Sequence, residues 1–344
     1  MTDRFAPPAG SDLEALVAHA IPLLGIGGGP MPEPFVPGAD RARWQDEVAL
    51  MRARHDSSAL DAGRILQPIL EAELGPDPLG VGDAPIEVRW AQVPVAGGAI
   101  GLRIYLPAAP ASGARPVVAL IHGGAYWMGG GSAGWQLNDT LCRRLCTGTD
   151  AVVVNIDHRL APEHPYPEPL DDVVAALEWI VANAESLTAD PERLALFGIS
   201  SGGNFAVAAA HRALDGRAPA PAALVLQCAS VNLSLESGRF EADPISVEGA
   251  RRIIALYAGG ADTTDPDVSP GLRPDLRGVP PTLVITADYD PLAADALHYA
   301  DRLTEAGSAV TRHSYPMTHT VAVPRVFRRM HDDTVAWLTK TLHA

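Results

Sequence analysis

The stretch Leu194-Ala195-Leu196-Phe197-Gly198-Ile199-Ser200-Ser201-Gly202-Gly203-Asn204-Phe205-Ala206-Val207-Ala208-Ala209-Ala210-His211-Arg212-Ala213-Leu214 carries three signals in sequence. Its first four residues are an apolar run suited to a strand buried on both faces. Gly198 to Gly202 fits the pattern G-x-S-x-G, in which glycines permit a turn too tight for side chains. The alanine-rich run after it reads as a helix. Strand, turn and helix in that order would lift the Ser200 hydroxyl above the end of a sheet. Gly130–Gly134 fits the same pattern. It follows Tyr126-Trp127-Met128 and lies well past the nearest strand, so Ser132 is read as a loop residue.

Upstream and downstream of this stretch the apolar pattern repeats. Val117–Ile121, Ala151–Ile156, Ala223–Leu226 and Leu283–Thr286 are further continuous apolar runs, and a shorter one near Val310 adds an eighth strand. Ile86, Val88 and Trp90, then Ile100, Leu102, Ile104 and Leu106, alternate with polar residues around a Gly97-Gly98 turn, as in a hairpin. Between the runs lie helical stripes. Leu170, Val173, Val174, Leu177 and Ile180 form one, and Phe327, Met330, Thr334, Trp337 and Leu338 form another. Strands alternating with helices predict an α/β fold, a mostly parallel sheet of about eight strands with helices on both faces.

Two segments stand outside that rhythm. Residues 1–80 read as helical pieces broken by Pro and Gly, with Trp44, Val48 and Met51 on one face and Leu66, Ile69 and Leu70 on another. Gly25–Pro34 reads as a plain loop, since no strand precedes it and no Gly-Lys-Ser/Thr follows. Residues 232–275 are too long for a simple connection. They hold one helical pattern, Val247–Tyr257, and are expected to lie over the top of the sheet against the N-terminal helices. The domain reading is therefore a helical cap segment over 1–80 and a catalytic domain over 81–344, with a cap insertion at about 232–275.

A serine hydroxyl attacks a carbonyl only when a base removes its proton, and a carboxylate must orient that base. The strand ending at Thr286 runs into Asp288-Tyr289-Asp290-Pro291, and carboxylates at the C-terminal ends of parallel strands sit where ligands bind. His319 follows Asp290 by 29 residues, after a Tyr315-Pro316 turn. Asp290 is read as the acid, with Asp288 as its rival. His319 is read as the base, with His313 as its rival inside the last strand. His298 and His331 fall in helical patterns. His122-Gly123-Gly124-Ala125 follows Val117–Ile121 directly, and the N–H groups of Gly123, Gly124 and Ser201 are the natural donors to an oxyanion.

Composition narrows the partners. The 344 residues carry 26 Lys+Arg against 41 Asp+Glu, a formal charge of −15, which disfavours binding to a phosphate backbone. A 47% hydrophobic content supports a large core rather than disorder. No apolar run reaches the length of a membrane span, and the acidic N-terminal stretch does not read as a secretory signal. Cys142, Cys146 and Cys228 are too few for a disulfide framework. Cys142 and Cys146 lack a second ligand pair for zinc, so they are read as buried thiols in a reducing cytoplasm.

Together these residues resemble the hormone-sensitive-lipase-like branch of the α/β-hydrolases, the bacterial carboxylesterase group. The resemblance rests on His122-Gly123-Gly124, Arg159-Leu160-Ala161-Pro162-Glu163-His164-Pro165-Tyr166-Pro167, Gly198–Asn204, Asp290-Pro291-Leu292 and Met317-Thr318-His319. It covers roughly residues 80–340. It implies a catalytic Ser200, Asp290 and His319, the oxyanion donors named above, no cofactor and no metal, and a structural role for the Arg159–Pro167 block. The chain departs from the family at five places: Ile199 for Asp, Ser201 for Ala, Ala125 for a third Gly, His158 for Tyr, and Thr320-Val321 for Gly-Phe. None removes a proposed triad member.

The expected function is a cytoplasmic serine carboxylesterase acting on short- to medium-chain acyl esters through an acyl-enzyme. The alternatives are an amide or lactone hydrolase using the same residues, or a non-catalytic small-molecule receptor on this fold. The expected partners are a small-molecule ester, with room for a second copy of the chain in a homodimer, and no nucleic acid or stable membrane association.

Overall fold

The computed structural model describes residues 7–24, 31–110, 113–234 and 244–344. Its eight strands are β1 (Ile86–Val95), β2 (Gly98–Pro107), β3 (Arg115–Ile121), β4 (Val152–Asp157), β5 (Ala189–Ile199), β6 (Ala223–Gln227), β7 (Thr282–Tyr289) and β8 (Val310–Thr318). They form one sheet in the order β1-β2-β4-β3-β5-β6-β7-β8. Only β2 runs against the rest. The expected hairpin is β1–β2, with Val95 opposite Gly98.

Helices cover both faces, and the period-two alternation of the strands divides the core between them. Val117, Ala119 and Ile121 belong to the core shared with α4 (Glu168–Ala182), α5 (Ser201–Leu214) and α7 (Ala293–Glu305). Val118 and Leu120 face the other way, into the core shared with α3 (Gly131–Thr149) and α8 (Pro324–Leu342). Helix α5 is buried from Ser201 through Arg212, which is why its sequence is dominated by small residues. Each buried Val or Leu side chain contributes roughly 1.5–3 kcal/mol, so the strand runs read from sequence are also the main energetic anchors of the fold.

Three expectations need correction. Residues 41–74 are not broken pieces but one helix, α2 (Arg41–Leu74), which continues through Gly63 and Pro68. Pro68 is exposed, so its missing N–H leaves a carbonyl facing solvent rather than core. Asp40 caps the start by accepting from Arg43 N, and Gly75, at φ 86°, ends the helix. Second, Tyr315-Pro316 is not a turn. Strand β8 runs through it to Thr318, which an edge strand tolerates because one side of its ladder is open. Third, Ser132 lies in the first turn of α3, on its surface, rather than in a loop.

The two segments outside the α/β rhythm touch each other. Helix α1 (Asp12–Leu24) packs on α2, and α6 (Pro244–Ala258) carries Arg252, whose Nη2 pairs with Glu33 Oε1 at 2.6 Å. Leu256 packs with Met31, Met51 and Trp127. Of the Gly25–Pro34 loop, residues 25–30 lie outside the described residues, as do 235–243 of the insertion. Among the described residues no helix is long and apolar enough to cross a membrane.

Candidate active site

The turn after β5 takes the form its glycines permit. Ser200 sits at φ 53° and ψ −115°, a strained conformation for a residue with a side chain. A Cβ on Gly202 would overlap the carbonyl oxygens of Ile121 and His122, and one on Gly198 would fall 2.5 Å from the Gly203 Cα. Side chains at either position would force β5, α5 and the end of β3 apart. The hydrogen bond from Ser200 N to Gln227 O, 2.9 Å, ties the turn to the neighbouring strand.

Sheet register delivers the other two residues. Tyr289 on β7 pairs with Thr318 on β8, so Asp290 and His319, each the next residue, emerge side by side. His319 Nε2 lies 2.9 Å from Ser200 Oγ, and its Nδ1 lies 2.7 Å from Asp290 Oδ2. Asp290 is 1% exposed, and its Oδ1 accepts from Leu292 N at 2.9 Å, which fixes the carboxylate plane. The His319 side chain keeps 31% exposure. Burial disfavours its charged form, but the Asp290 carboxylate outweighs that and holds its pKa above the ordinary value of 6.5.

The rivals lie elsewhere. Asp288 is exposed and accepts a hydrogen bond from Ser314 Oγ. His313 is on β8 as expected, with Nδ1 3.2 Å from Tyr315 OH. His298 lies on α7 and His331 on α8; the latter is buried and bonded to Phe327 O.

The loop after β3 runs directly beside Ser200. A Cβ on Gly123 would stand 3.2 Å from Ser200 Cβ, so only a glycine backbone fits there with room for a ligand atom. Gly124 has φ 130° and a Cβ on it would overlap Met128 O. Ala125 and Tyr126 follow at φ 50° and 68°, so the alanine standing at the family's third glycine holds a glycine-like backbone. That costs roughly 1–2 kcal/mol. Ser201 begins α5, and the first N–H groups of a helix lack acceptors within it. Of the three residues expected to donate to an oxyanion, Gly123 lies against Ser200 and Ser201 follows it at the start of α5, while Gly124 packs against Met128. His122 stacks on His158 with ring centroids 4.2 Å apart, and burial followed by that neighbour pushes its pKa down to about 3. Both rings are neutral under this loop.

The Arg159–Pro167 block is held by ion pairs. Arg159 donates to both oxygens of the fully buried Asp172, with Nη2 to Oδ1 at 2.6 Å and Nε to Oδ2 at 2.8 Å. Glu163 takes a two-pronged pair from Arg52 of α2.

Sequence reasoning missed Cys228 as a neighbour of this site. It follows Gln227 of β6 at φ 48°. Its ligand atom and those of Asp290 and His319 all lie within 4.8 Å of one another, a donor set that a metal ion could use. Burial, then the nearby Asp290 charge, pushes its thiol pKa far up, so the group stays protonated beside the carboxylate. Cys142 and Cys146 are buried free thiols on α3.

The sequence profile of the family described as alpha/beta hydrolase fold matches residues 118–322. The chain is 38% identical over 232 residues to the carboxylesterase NlhH of Mycobacterium tuberculosis, covering 64% of this chain and 70% of that protein. It is 30% identical over 282 residues to an ethyl acetate hydrolase of Pseudomonas putida, covering 79% of each. The structure resembles that of a hyperthermophilic esterase from the archaeon Pyrobaculum calidifontis, with a TM-score of 0.74 at 29% identity over 98% of this chain and 100% of that one. Sheet order, the glycine turn around Ser200 and these matches agree, and the chain belongs to the hormone-sensitive-lipase-like, carboxylesterase branch of the α/β-hydrolase fold family.

Proposed function

We propose that Ser200, His319 and Asp290 are the nucleophile, base and orienting acid of this carboxylic ester hydrolase. The observation that carries the reading is the continuous pair of hydrogen bonds, Ser200 Oγ to His319 Nε2 at 2.9 Å and His319 Nδ1 to Asp290 Oδ2 at 2.7 Å. Neutral His319 takes the serine proton as Oγ attacks the ester carbonyl. The N–H groups of Gly123, Gly124 and Ser201 stabilise the oxyanion that forms. His319, now charged and held by Asp290, returns the proton to the leaving alcohol. Water then attacks the acyl-enzyme by the same route, and the acid product leaves.

Short- to medium-chain acyl esters are the proposed substrates. The similarity to an ethyl acetate hydrolase supports a small acyl group, and so does a cap built from residues 1–80 together with the insertion at about 232–275. A cytoplasmic location is part of the reading, supported by three unpaired, buried thiols; the reading is compatible with a homodimer. Hydrolysis of p-nitrophenyl esters from acetate to laurate, with Ser200→Ala as the control, tests it. Activity on the short esters that disappears in Ser200→Ala supports the reading. Activity that survives Ser200→Ala, or rises steadily through laurate, contradicts it.

A further inference from the structure

The loop joining β3 to α3 holds an improbable backbone, with Gly124, Ala125 and Tyr126 at successive positive φ angles. Such a run persists only where its surroundings over-determine it. Part of the restraint is local, since Trp127 N and Met128 N both donate to Gly124 O at 3.0 Å. Part comes from α2, far upstream in the chain. Arg52 Nε donates to Trp127 O at 2.6 Å, Nη2 to Ala161 O at 3.1 Å, and Nη1 and Nη2 to the two oxygens of Glu163 at 2.8 and 2.7 Å. One helical turn on, Asp56 Oδ1 accepts from Gly129 N at 3.0 Å. Between them His55 meets the Trp127 ring edge-on at 4.9 Å.

Residues 127–129 in turn lie against 123–124. A Cβ on Gly129 would stand 2.9 Å from Gly123 O, and one on Gly124 would overlap Met128 O. A shift at Trp127 or Gly129 therefore moves the Gly123–Gly124 backbone, which lies against Ser200 through Gly123. We propose that Arg52 and Asp56 are positioning residues for the oxyanion loop, gripping it by the Trp127 carbonyl and the Gly129 N–H. On this view α2 does more than roof a pocket: its docking sets the aim of Gly123 and Gly124. The inference rests on the reading of those two glycines as oxyanion donors.

The test uses the full chain with Arg52→Met, Arg52→Lys and Asp56→Ala. It reads kcat and KM separately on p-nitrophenyl butyrate, affinity for an alkyl trifluoromethyl ketone, and Tm. The ketone's hemiketal with Ser200 places an oxyanion where the donors point. Arg52→Met and Asp56→Ala should each lower kcat about tenfold or more, since small misplacements near the reacting atoms carry large penalties. KM should stay within about twofold, and the ketone should weaken by the same factor as kcat/KM. Arg52→Lys, which keeps the charge without the fork, should not restore kcat. A purely structural Arg52 would lower Tm while leaving the kcat of folded enzyme and the ketone affinity at wild-type values, and that result overturns the proposal. If Arg52→Met does not fold, Asp56→Ala carries the same readouts. Failure of a fluorophosphonate to label Ser200 in the wild type would overturn the parent reading as well. Labelling there with kcat unmoved in the variants would overturn the positioning role alone.

Discussion

Replacing Asp290 by asparagine tests the proposed division of labour most sharply, because the two side chains have the same shape. The asparagine would keep an oxygen for Leu292 N, which donates to Asp290 Oδ1 at 2.9 Å. Its amide nitrogen would then stand 2.7 Å from His319 Nδ1, where Asp290 Oδ2 now accepts. An amide N–H there makes Nδ1 an acceptor and drives the ring proton to Nε2. Nε2 would then donate to Ser200 Oγ instead of accepting its proton, and the base is lost. The imidazolium that forms in the reaction also loses a buried carboxylate, 1% exposed, as its counter-charge. A wrong tautomer with intact geometry lowers kcat about 10⁴-fold in a Ser-His-Asp triad, which corresponds to roughly 5 kcal/mol of barrier. The assay is kcat/KM for p-nitrophenyl butyrate across pH. In the wild type, activity should fall as pH drops through the pKa of His319, which Asp290 holds above 6.5. In Asp290→Asn the residual activity should show that limb displaced to lower pH. A loss smaller than tenfold, or a larger loss in Asp288→Asn, would refute the reasoning.

Other outcomes follow from the same geometry. Each CH₂ of an acyl chain buried under the proposed cap contributes about 0.8 kcal/mol, or roughly fourfold, until the space is full. kcat/KM should therefore rise from acetyl to about butyryl or hexanoyl and fall by about ten carbons, with no rate jump on emulsified triglyceride. Gly202→Ala should cost about 3 kcal/mol or prevent folding, because its Cβ meets two backbone carbonyls that cannot yield; denaturant unfolding measures it. His122 and His211, each pushed down to about 3 chiefly by burial, and His331, pushed down to about 4, are neutral inside the fold. The unfolded chain protonates all three near pH 6.5, so burying them as neutral rings costs nothing extra above that pH. Stability should fall as pH drops towards 4, by up to about 1.4 kcal/mol per pH unit for each. His319 has the opposite sign, its contribution being lost as pH rises through its raised pKa. A flat stability profile between pH 6.5 and 4 would contradict burial of the three as neutral rings.

The parts of this fold written in short-range pattern were legible. Continuous apolar runs marked every central strand because a sheet covered on both faces leaves no polar side to alternate with. Ser200 was legible because the turn demands glycines on both sides, and Asp290 and His319 because parallel strands bring their following residues to one edge. What failed depended on long-range contacts or on competing local rules. Residues 1–80 read as pieces broken by Pro and Gly, with the stripes at 44–51 and 66–70 taken separately, yet α2 runs through Gly63 and the exposed Pro68; Asp40 and Gly75 were the better boundary signals. Pro316 read as a turn because nothing local says that β8 is an edge strand. Ser132 lacked a helix-capping residue before it, Gly130 having no side chain to accept, so the start of α3 was silent. Arg52 and Asp56 drew no attention, and Cys228 none as a neighbour of the site, because their partners lie far away in the chain. The i, i+4 spacing of Arg52 and Asp56 on one helix was the only trace of their common target.

The account stands on Ser200 as the nucleophile, and covalent labelling tests that most directly. A fluorophosphonate should react once per chain, and mass mapping should place the adduct on the peptide containing Gly198–Asn204, at Ser200. Labelling and esterase activity should vanish together in Ser200→Ala, while Ser132→Ala behaves as wild type. An adduct on Ser132, or stoichiometric labelling that persists in Ser200→Ala, would contradict the assignment of the site.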